Sequence, residues 1–265
     1  MNPGFAELAS VDGTITATAE ATLPLKDDGL YRGDGVFEVI RLYAGRPFAL
    51  ADHYERMQRS ADAIELPLDR PALEAEVEAL LSAAGDDEAQ LRLIVTRGGR
   101  RIAATEPLPE HAEAVGVTSV VYQPTVILNG VKSLSYGANM QATRIARDRG
   151  ADEAVLVRPD GIVLEPPTSS IFWVSEGELR TTALEAGVLA SITRDRLLAA
   201  LEVSVGEWPI GDLLGASEAF LASTVREVQA VRSVDGTELG AVPGPRTVEA
   251  RDAFAAALVR ELGES

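Results

Sequence analysis

Apolar residues recur along this chain with two spacings, which predict both strands and helices. Short runs rich in β-branched and aromatic residues predict strands at 36–43, 90–97, 116–122, 153–158, 162–165, 171–174, 218–222 and 228–234. Apolar residues three and four positions apart predict helices at 52–65, 70–84, 136–149, 194–201 and 246–262. Because the strands come in meanders rather than in regular strand–helix–strand repeats, the order indicates an α+β fold.

Turn-forming and polar residues separate these elements. Residues 102–113 are polar and contain prolines, which predicts a loop. Gln123-Pro124 lies between two halves of comparable size and has the character of a linker. We therefore expect two domains, at 1–122 and 123–265.

The composition is that of an ordinary globular protein. The chain has 265 residues, of which 46% are hydrophobic, and this is enough for a sizeable core. It has no cysteine, which excludes disulfides, thiolate metal sites and a cysteine nucleophile. With His53 and His111 as the only two histidines, we expect neither a histidine-rich metal site nor a Ser-His-Asp triad.

Charge and hydropathy narrow the partners. The formal net charge of −17 argues against a nucleic-acid partner, since binding to phosphates needs a basic face. The longest apolar runs are far shorter than the roughly 20 residues of a membrane span, so we expect no membrane partner. The N-terminal residues lack the basic and apolar regions of a signal peptide, and we expect a cytoplasmic protein.

Lys132 is the most informative single residue. The 24 basic side chains include two lysines, Lys132 and Lys26, and Lys132 lies in a mainly apolar stretch. Arginine cannot replace lysine where an amine must lose its proton and form an imine, because a guanidinium stays charged. Lys132 is therefore a candidate Schiff-base nucleophile. The alternative is a partly buried lysine whose stem packs while its head reaches water.

Four further features gain meaning beside this lysine, although each has an ordinary structural explanation. Thr193 is predicted as the N-cap of helix 194–201, a position that favours anions such as phosphate. Ser223 and Thr224 form a hydroxyl pair at a strand end, where they share a phosphate or make a turn. Arg56 lies on the apolar stripe of its helix, so it points inward and can neutralise a phosphate. Glu165 ends a strand, and a carboxylate there either meets a ligand or faces water.

Six segments, in order along the chain, resemble the class IV, or fold-type IV, pyridoxal-phosphate-dependent aminotransferases. This family includes D-amino acid, branched-chain and R-amine transaminases as well as aminodeoxychorismate lyases. The resemblance covers about 30–235, and the segments that carry it are 33–41 (GDGVFEVIR), 53–57 (HYERM), 132–134 (KSL), 164–172 (LEPPTSSIF), 192–195 (ITRD) and 223–228 (STVREV). It implies a small N-terminal α/β sandwich and a larger C-terminal pseudo-barrel domain that carries the Schiff-base lysine.

The resemblance assigns pyridoxal 5'-phosphate as the cofactor and gives each candidate residue a role. Lys132 is the Schiff-base lysine and also moves the substrate's α-proton. Glu165 keeps the pyridine nitrogen protonated. The implied phosphate ligands are the Arg56 side chain, the backbone at Ile192, and the hydroxyl groups of Thr193, Ser223 and Thr224.

Two departures from the family pattern affect loops near the cofactor. The family usually has Glu-Gly at the key glutamate, whereas this chain has Glu165-Pro166-Pro167. Proline lacks an N–H and fixes φ, so this loop must be shaped differently. Ser191 stands where a glycine usually precedes the Ile-Thr-Arg segment.

Members of this family share the cofactor machinery, so the substrate must be inferred from other residues. The resemblance places Phe37, Arg100 and Arg101 at the substrate, where the arginines clamp a carboxylate or form a solvated basic loop. We favour a transaminase that moves an amino group between an amino acid (a D-amino acid or a branched-chain L-amino acid) or an R-amine and a 2-keto acid. The alternatives are an aminodeoxychorismate lyase, which releases pyruvate and 4-aminobenzoate, and a cofactor-binding protein without turnover. Relatives build their site between two subunits, so we expect a homodimer.

Overall fold

A computed structural model describes residues 5–263, and the predicted α+β class is confirmed. Over these residues the strands are β1 (Leu8–Val11), β2 (Thr14–Ala17), β3 (Gly35–Tyr43), β4 (Arg46–Pro47), β5 (Ala89–Thr96), β6 (Arg101–Glu106), β7 (Ala114–Val121), β8 (Glu153–Val157), β9 (Ser170–Ser175), β10 (Glu178–Thr182), β11 (Ser204–Gly206), β12 (Glu218–Ser223), β13 (Glu227–Val234) and β14 (Thr237–Glu238). The α-helices are α1 (Asp28–Arg32), α2 (Leu50–Ala63), α3 (Arg70–Ala84), α4 (Gly137–Asp148), α5 (Ile192–Ala200), α6 (Ile210–Leu214) and α7 (Pro245–Leu262).

The chain divides into two compact units. Of the described residues, unit 1 contains 5–110 and 131–136, and unit 2 contains 111–130 and 137–263. This division differs from the predicted boundary after residue 122. The strand β7 pairs with β8 and β13 of the second sheet, so it joins unit 2, whereas the short segment 131–136 joins unit 1.

Within the described part of unit 1, six strands form one sheet in the order β2-β1-β6-β5-β3-β4. The pairings are antiparallel, and β3 and β5 are in register from Gly35 opposite Thr96 to Leu42 opposite Ala89. The helices α2 and α3 pack on this sheet. Their apolar stripes and the inward residues of β3 and β5 form the core, which includes Ile40, Met57, Leu73, Leu80 and Leu91.

Within the described part of unit 2, eight strands form a curled half-barrel sheet with the main order β11-β10-β9-β12-β13-β7-β8, and β14 pairs with β13. The strands β8 and β9 are buried at every residue, and β12 at all but its last, which explains why they read as continuous apolar runs. Trp173 and Ile171 lie in one core, whereas Ala154 and Leu156 lie in another with α4.

Among the strands that were not predicted, β6 and β10 are the longest, and both contain charged residues. The strand β6 (RIAATE) begins one residue before the predicted loop 102–113 and takes up its first part. It lies between β1 and β5 and pairs with both. The strand β10 (ELRTT) pairs with β9 and β11. Pairing with neighbours on both sides stabilises a strand whatever its local polarity, and that pairing is not visible in the sequence pattern. The predicted strand at 162–165 is wrong, because only isolated bridges form there.

Candidate functional site

The backbone of Lys132 is fixed in unit 1 by β3 and α2. The strand β4 pairs with β3 only at Leu42 and Tyr43. The first part of β3 pairs instead with the lysine segment: Phe37 N–H donates to the Lys132 carbonyl at 3.1 Å, and a β-bridge joins Val36 to Ser133. The Lys132 N–H donates to Ser60 Oγ on α2 at 3.1 Å. Lys132 therefore stands on two rigid elements, as a reactive residue requires.

The amine of Lys132 lies over an aromatic face. Its Nζ atom is 4.4 Å from the centroid of the Phe37 ring, and this ring makes an edge contact with Tyr136 at 5.3 Å between centroids. A cation at this distance is attracted by the ring, so the side chain has a preferred direction. Phe37 was predicted as a substrate-binding residue, and the structure brings it directly beside the lysine.

Arg56, a predicted phosphate ligand, points inward as predicted and belongs to a buried charge cluster in unit 1. The Arg56 Nε and Nη2 atoms donate to the two carboxylate oxygens of Glu38 at 2.7 and 2.5 Å. The same carboxylate lies 2.8 Å from His53 Nδ1. Glu38 and His53 are fully buried and Arg56 is 6% exposed. A bidentate pair without solvent around it holds the guanidinium in one orientation.

The charges within this cluster are set by competition between burial and pairing. Burial raises the pKa of Glu38, but the Arg56 guanidinium and then His53 outweigh it and lower the pKa to about 2. Burial lowers the pKa of His53 despite the opposing effect of Glu38, and the charges of Arg56 and Lys132 lower it further. At neutral pH the cluster is thus a carboxylate, a guanidinium and a neutral imidazole. Among residues 5–263, His53 Nε2 is buried without a hydrogen-bond partner.

Sequence reasoning missed Glu38 and His53 as parts of the site, although a signal was present. On β3, Glu38 lies in the same inward-facing row as Val36, Ile40 and Leu42, and all of these residues are buried. A carboxylate in that row must find a cation or hydrogen-bond donors. Arg56, three positions after His53 on one helix face, supplies the cation.

Arg100 and Arg101 lie at the start of β6 and already bind carboxylates of unit 1. An ion pair joins Arg100 Nη1 to Asp12 Oδ2. Arg101 donates from Nε and Nη2 to Glu76 Oε1 at 3.0 and 2.7 Å. The hydrogen bonds to Glu76 raise the pKa of Arg101, and this effect outweighs the lowering of the pKa by desolvation. Both guanidinium groups are therefore paired with carboxylates of unit 1.

In unit 2 the segment around Thr193 starts the helix α5, but the predicted cap is wrong. The N-cap is Ser191, whose Oγ accepts a hydrogen bond from Arg194 N–H at 3.3 Å. Ile192 and Thr193 lie in the first turn and are buried. Thr193 Oγ1 is buried and has no hydrogen-bond partner among the residues that the structure describes. Because Ser191 caps the helix, the Thr193 hydroxyl is left for another acceptor or donor.

Glu165, the predicted partner of the ring nitrogen, lies in a loop of unit 2 that hydrogen bonds hold at several points. Its Oε1 accepts a hydrogen bond from Leu189 N–H at 2.8 Å, and its carbonyl accepts one from Leu156 N–H at 3.1 Å. Pro166 and Pro167, the departure from the family pattern, are both buried, and the Pro167 carbonyl accepts a hydrogen bond from Asn139 Nδ2 at 3.2 Å. The prolines therefore form part of the packed base of this loop.

Ser223 and Thr224 lie at the tip of the β12–β13 hairpin. Ser223 pairs with Glu227 across the hairpin, and 224–226 form the turn between them. Ser223 Oγ accepts a hydrogen bond from Arg226 N–H at 3.4 Å. Thr224 is 8% exposed.

These residues suit pyridoxal phosphate on chemical grounds. A phosphate needs hydrogen-bond donors and positive potential, and the buried Thr193 hydroxyl lies in the first turn of α5, where backbone N–H groups point outward. In the same turn, burial lowers the pKa of Arg194, whose Nη2 atom donates to the Thr182 carbonyl at 2.9 Å. A lysine amine and a glutamate carboxylate match the chemical needs of the rest of the cofactor. Unit 1 carries Lys132, Arg56, Phe37, Arg100 and Arg101, and unit 2 carries Glu165, Ile192, Thr193, Ser223 and Thr224.

No group of three or more His, Asp or Glu side chains within residues 5–263 is arranged to hold a metal ion. None of the helices formed by these residues combines the length and apolar composition needed to cross a membrane.

Comparison with known proteins gives concordant matches. The family model described as amino-transferase class IV matches residues 35–234. The D-alanine aminotransferase of Bacillus licheniformis is 29% identical and covers 96% of this chain and 98% of its own. A putative branched-chain-amino-acid aminotransferase of Methanocaldococcus jannaschii is 31% identical, with 85% of this chain and 87% of its own covered. The pyridoxal-phosphate-bound structure of a hypothetical aminotransferase from Mycobacterium tuberculosis superposes with a TM-score of 0.87 at 25% identity, covering 96% of this chain and 99% of that one.

Proposed function

Because the chain belongs to the amino-transferase class IV family, we propose that it moves an amino group between an amino acid and a 2-keto acid, with D-amino acids or branched-chain L-amino acids as donors. The chain is a pyridoxal-phosphate-dependent class IV aminotransferase, which takes an amino donor and a keto acid acceptor. The choice of donor is the proposal. R-amines are further candidate donors.

The observation that carries the site assignment is the position of Lys132. Its backbone is fixed by Phe37 and Ser60, and its amine lies over an aromatic ring next to a buried charge cluster. Bound pyridoxal phosphate supplies an aldehyde that condenses with amines and a protonated ring that withdraws electrons from the neighbouring carbon. Lys132 Nζ would hold the cofactor as the Schiff-base lysine, and as a neutral amine it would move the α-proton of the substrate.

The other side chains bind and orient the cofactor. Glu165, whose Oε1 is held by Leu189 N–H, keeps a proton on the ring nitrogen. The phosphate binds to the Arg56 side chain, the Ile192 backbone and the hydroxyl groups of Thr193, Ser223 and Thr224. The buried and unpartnered hydroxyl of Thr193 supports this assignment most directly.

Arg100 and Arg101 stay candidates for binding a substrate carboxylate. In the structure a substrate would compete with Asp12 for Arg100 and with Glu76 for Arg101. The proposal predicts that Arg100→Met raises the KM of the keto acid and leaves the affinity for the cofactor unchanged. An unchanged KM would assign Arg100 to the fold of unit 1 rather than to the substrate.

We also propose a homodimer. In unit 1 the chain exposes large apolar side chains close together in sequence: Leu25 is 73% exposed, Leu30 59% and Tyr31 56%. Exposed apolar clusters of this kind are typical of interfaces. Sedimentation of the wild type and of Leu25→Asp tests the proposal, since a dimer that uses this surface dissociates in the variant. A cytoplasmic location and the lack of nucleic-acid and membrane partners stay predictions.

The central experiment is a spectroscopic titration of the cofactor-loaded enzyme. The visible absorbance of the lysine-bound cofactor is recorded while D-alanine, L-leucine, L-valine and an R-amine are added one at a time. A donor that transfers its amino group shifts the band to the near ultraviolet, and a 2-keto acid restores it. If no donor shifts the band while aminodeoxychorismate yields pyruvate without an acceptor, the enzyme is the alternative lyase.

A further inference from the structure

Two irregular segments of unit 2 carry proposed cofactor ligands. Thr224 lies in the hairpin turn 224–226, and Glu165 lies in the loop between β8 and β9. Neither segment has the regular ladder of hydrogen bonds that fixes a strand or a helix. A loop tip positions a ligand well only when side chains from elsewhere hold it.

The side chain of Arg226 reaches both segments. Arg226 is the last residue of the turn, and its N–H donates to Ser223 Oγ. Its Nη2 atom donates to Thr168 Oγ1, in the Glu165 loop, at 3.2 Å and lies 2.9 Å from Glu153 Oε2. Its Nη1 atom donates to Gln229 Oε1 at 3.0 Å. One guanidinium thus joins the turn, the loop and two strands.

The ion pair between Arg226 and Glu153, which anchors this arrangement, is largely buried. The side chains of Arg226 and Glu153 are 10% and 11% exposed. Glu153 begins β8, and its other oxygen lies 3.4 Å from Thr143 Oγ1 on α4. Gln229 is itself fixed, because its Nε2 atom donates to the Ala112 carbonyl at 2.6 Å. A planar guanidinium held by three acceptors on different elements cannot rotate without losing several hydrogen bonds.

We propose that Arg226 is a positioning residue that sets Thr224 against the cofactor phosphate and couples that turn to the Glu165 loop. Glu153 offsets its charge, so Arg226 acts through geometry rather than as the phosphate ligand. The inference rests on the proposed assignment of Thr224 to the phosphate and of Glu165 to the ring nitrogen. It predicts that loss of Arg226 weakens binding of the phosphate more than binding of the rest of the cofactor.

The test compares the dissociation constants of pyridoxal phosphate and pyridoxal, measured by equilibrium dialysis. Arg226→Met lowers the preference for the phosphorylated form by about tenfold, the loss expected when one charge-assisted hydrogen bond becomes misplaced. Thr168→Val, which leaves the Arg226–Glu153 pair intact, lowers it in the same direction by a smaller factor. Arg226→Lys keeps the charge and recovers part of the loss.

Arg180→Met is the matched control. The Arg180 side chain is 8% exposed, and its ion pairs involve Asp212, Glu176 and Glu178. Its loss destabilises unit 2 but leaves the ratio of the two dissociation constants as in the wild type. An equal fall of the ratio in this control would assign a merely structural role to Arg226 and overturn the inference.

Thr224→Val separates the inference from the proposed function. If Thr224→Val lowers the preference for pyridoxal phosphate but Arg226→Met and Thr168→Val do not, Arg226 does not position the turn. If Thr224→Val itself has no effect, the proposed phosphate site is wrong, and the inference about Arg226, which rests on that site, is wrong as well. Should Arg226→Met fail to fold, Thr168→Val decides.

Discussion

Replacing Glu38 with glutamine tests the buried charge cluster of unit 1. The substitution keeps the shape of the side chain but removes the charge that faces Arg56 and His53. It also places an amide N–H₂ group, a donor, opposite the donors of Arg56. We expect a large loss of stability and a weaker hold on the orientation of Arg56.

The structure gives the size of the effect in two ways. Breaking a buried ion pair by removing one partner costs about 3–5 kcal/mol, because the remaining charge stays buried. The pKa of Glu38 falls from 4.5 to about 2. At 1.36 kcal/mol per unit this difference corresponds to about 3 kcal/mol of stability. Both routes give a free energy of unfolding lower by about 3 kcal/mol in Glu38→Gln.

The assay is urea unfolding of wild type and variant, with Glu106→Gln as control. Glu106 also makes a bidentate pair, with Arg92 on the same sheet, but these side chains are 28% and 33% exposed. Such a pair contributes about 1 kcal/mol or less, since water screens it. The folded pKa of Glu38 is depressed, so its contribution is complete above about pH 5 and is lost as the pH falls toward 2. The gap between wild type and Glu38→Gln therefore narrows over that range.

Two results would refute this reasoning. The first is a Glu38→Gln variant that loses no more stability at pH 7 than Glu106→Gln. The second is a gap between wild type and Glu38→Gln that stays constant as the pH falls. Either result would mean that packing, rather than the charge of Glu38, holds this part of unit 1.

Three shorter predictions concern the cofactor. Lys132→Ala still folds but gives no visible band of lysine-bound cofactor on addition of pyridoxal phosphate, and a band without added amine would contradict its role. Glu165→Gln lowers kcat by about 100-fold, in the range of acid–base contributions, and changes the affinity for the cofactor much less; a change in affinity alone would contradict the ring-nitrogen assignment. Thr193→Val raises the dissociation constant of pyridoxal phosphate by about tenfold, whereas that of pyridoxal stays constant, as dialysis measures.

Local patterns predicted most of the regular elements well. The β-branched and aromatic run at 36–43 and the helical spacing at 52–65 correspond to β3 and α2 with shifts of two residues or fewer. They succeed because one face of each element is buried and the other is not, and that difference is written into neighbouring residues. The inward direction of Arg56 followed from the same spacing.

Predictions failed where a distant partner decided the outcome. The strand β6 carries arginine and glutamate, and its pairing with β1 and β5 overrides its polar character. Ser191 and Thr193 are both good capping residues, and only the structure shows that Ser191 caps α5 while Thr193 is buried. Propensity could not distinguish two hydroxyls placed two positions apart.

The sequence by itself determined the chemical inventory: one lysine in an apolar stretch, an inward arginine, hydroxyls at two element ends and no cysteine. The tertiary structure decided which groups meet. It placed the lysine segment 131–136 along β3 in unit 1 and brought Glu38 to Arg56. It also joined Arg226 to Thr168 across 58 positions of sequence. Such contacts depend on the pairing and burial of residues far apart in the chain, and no local period encodes them.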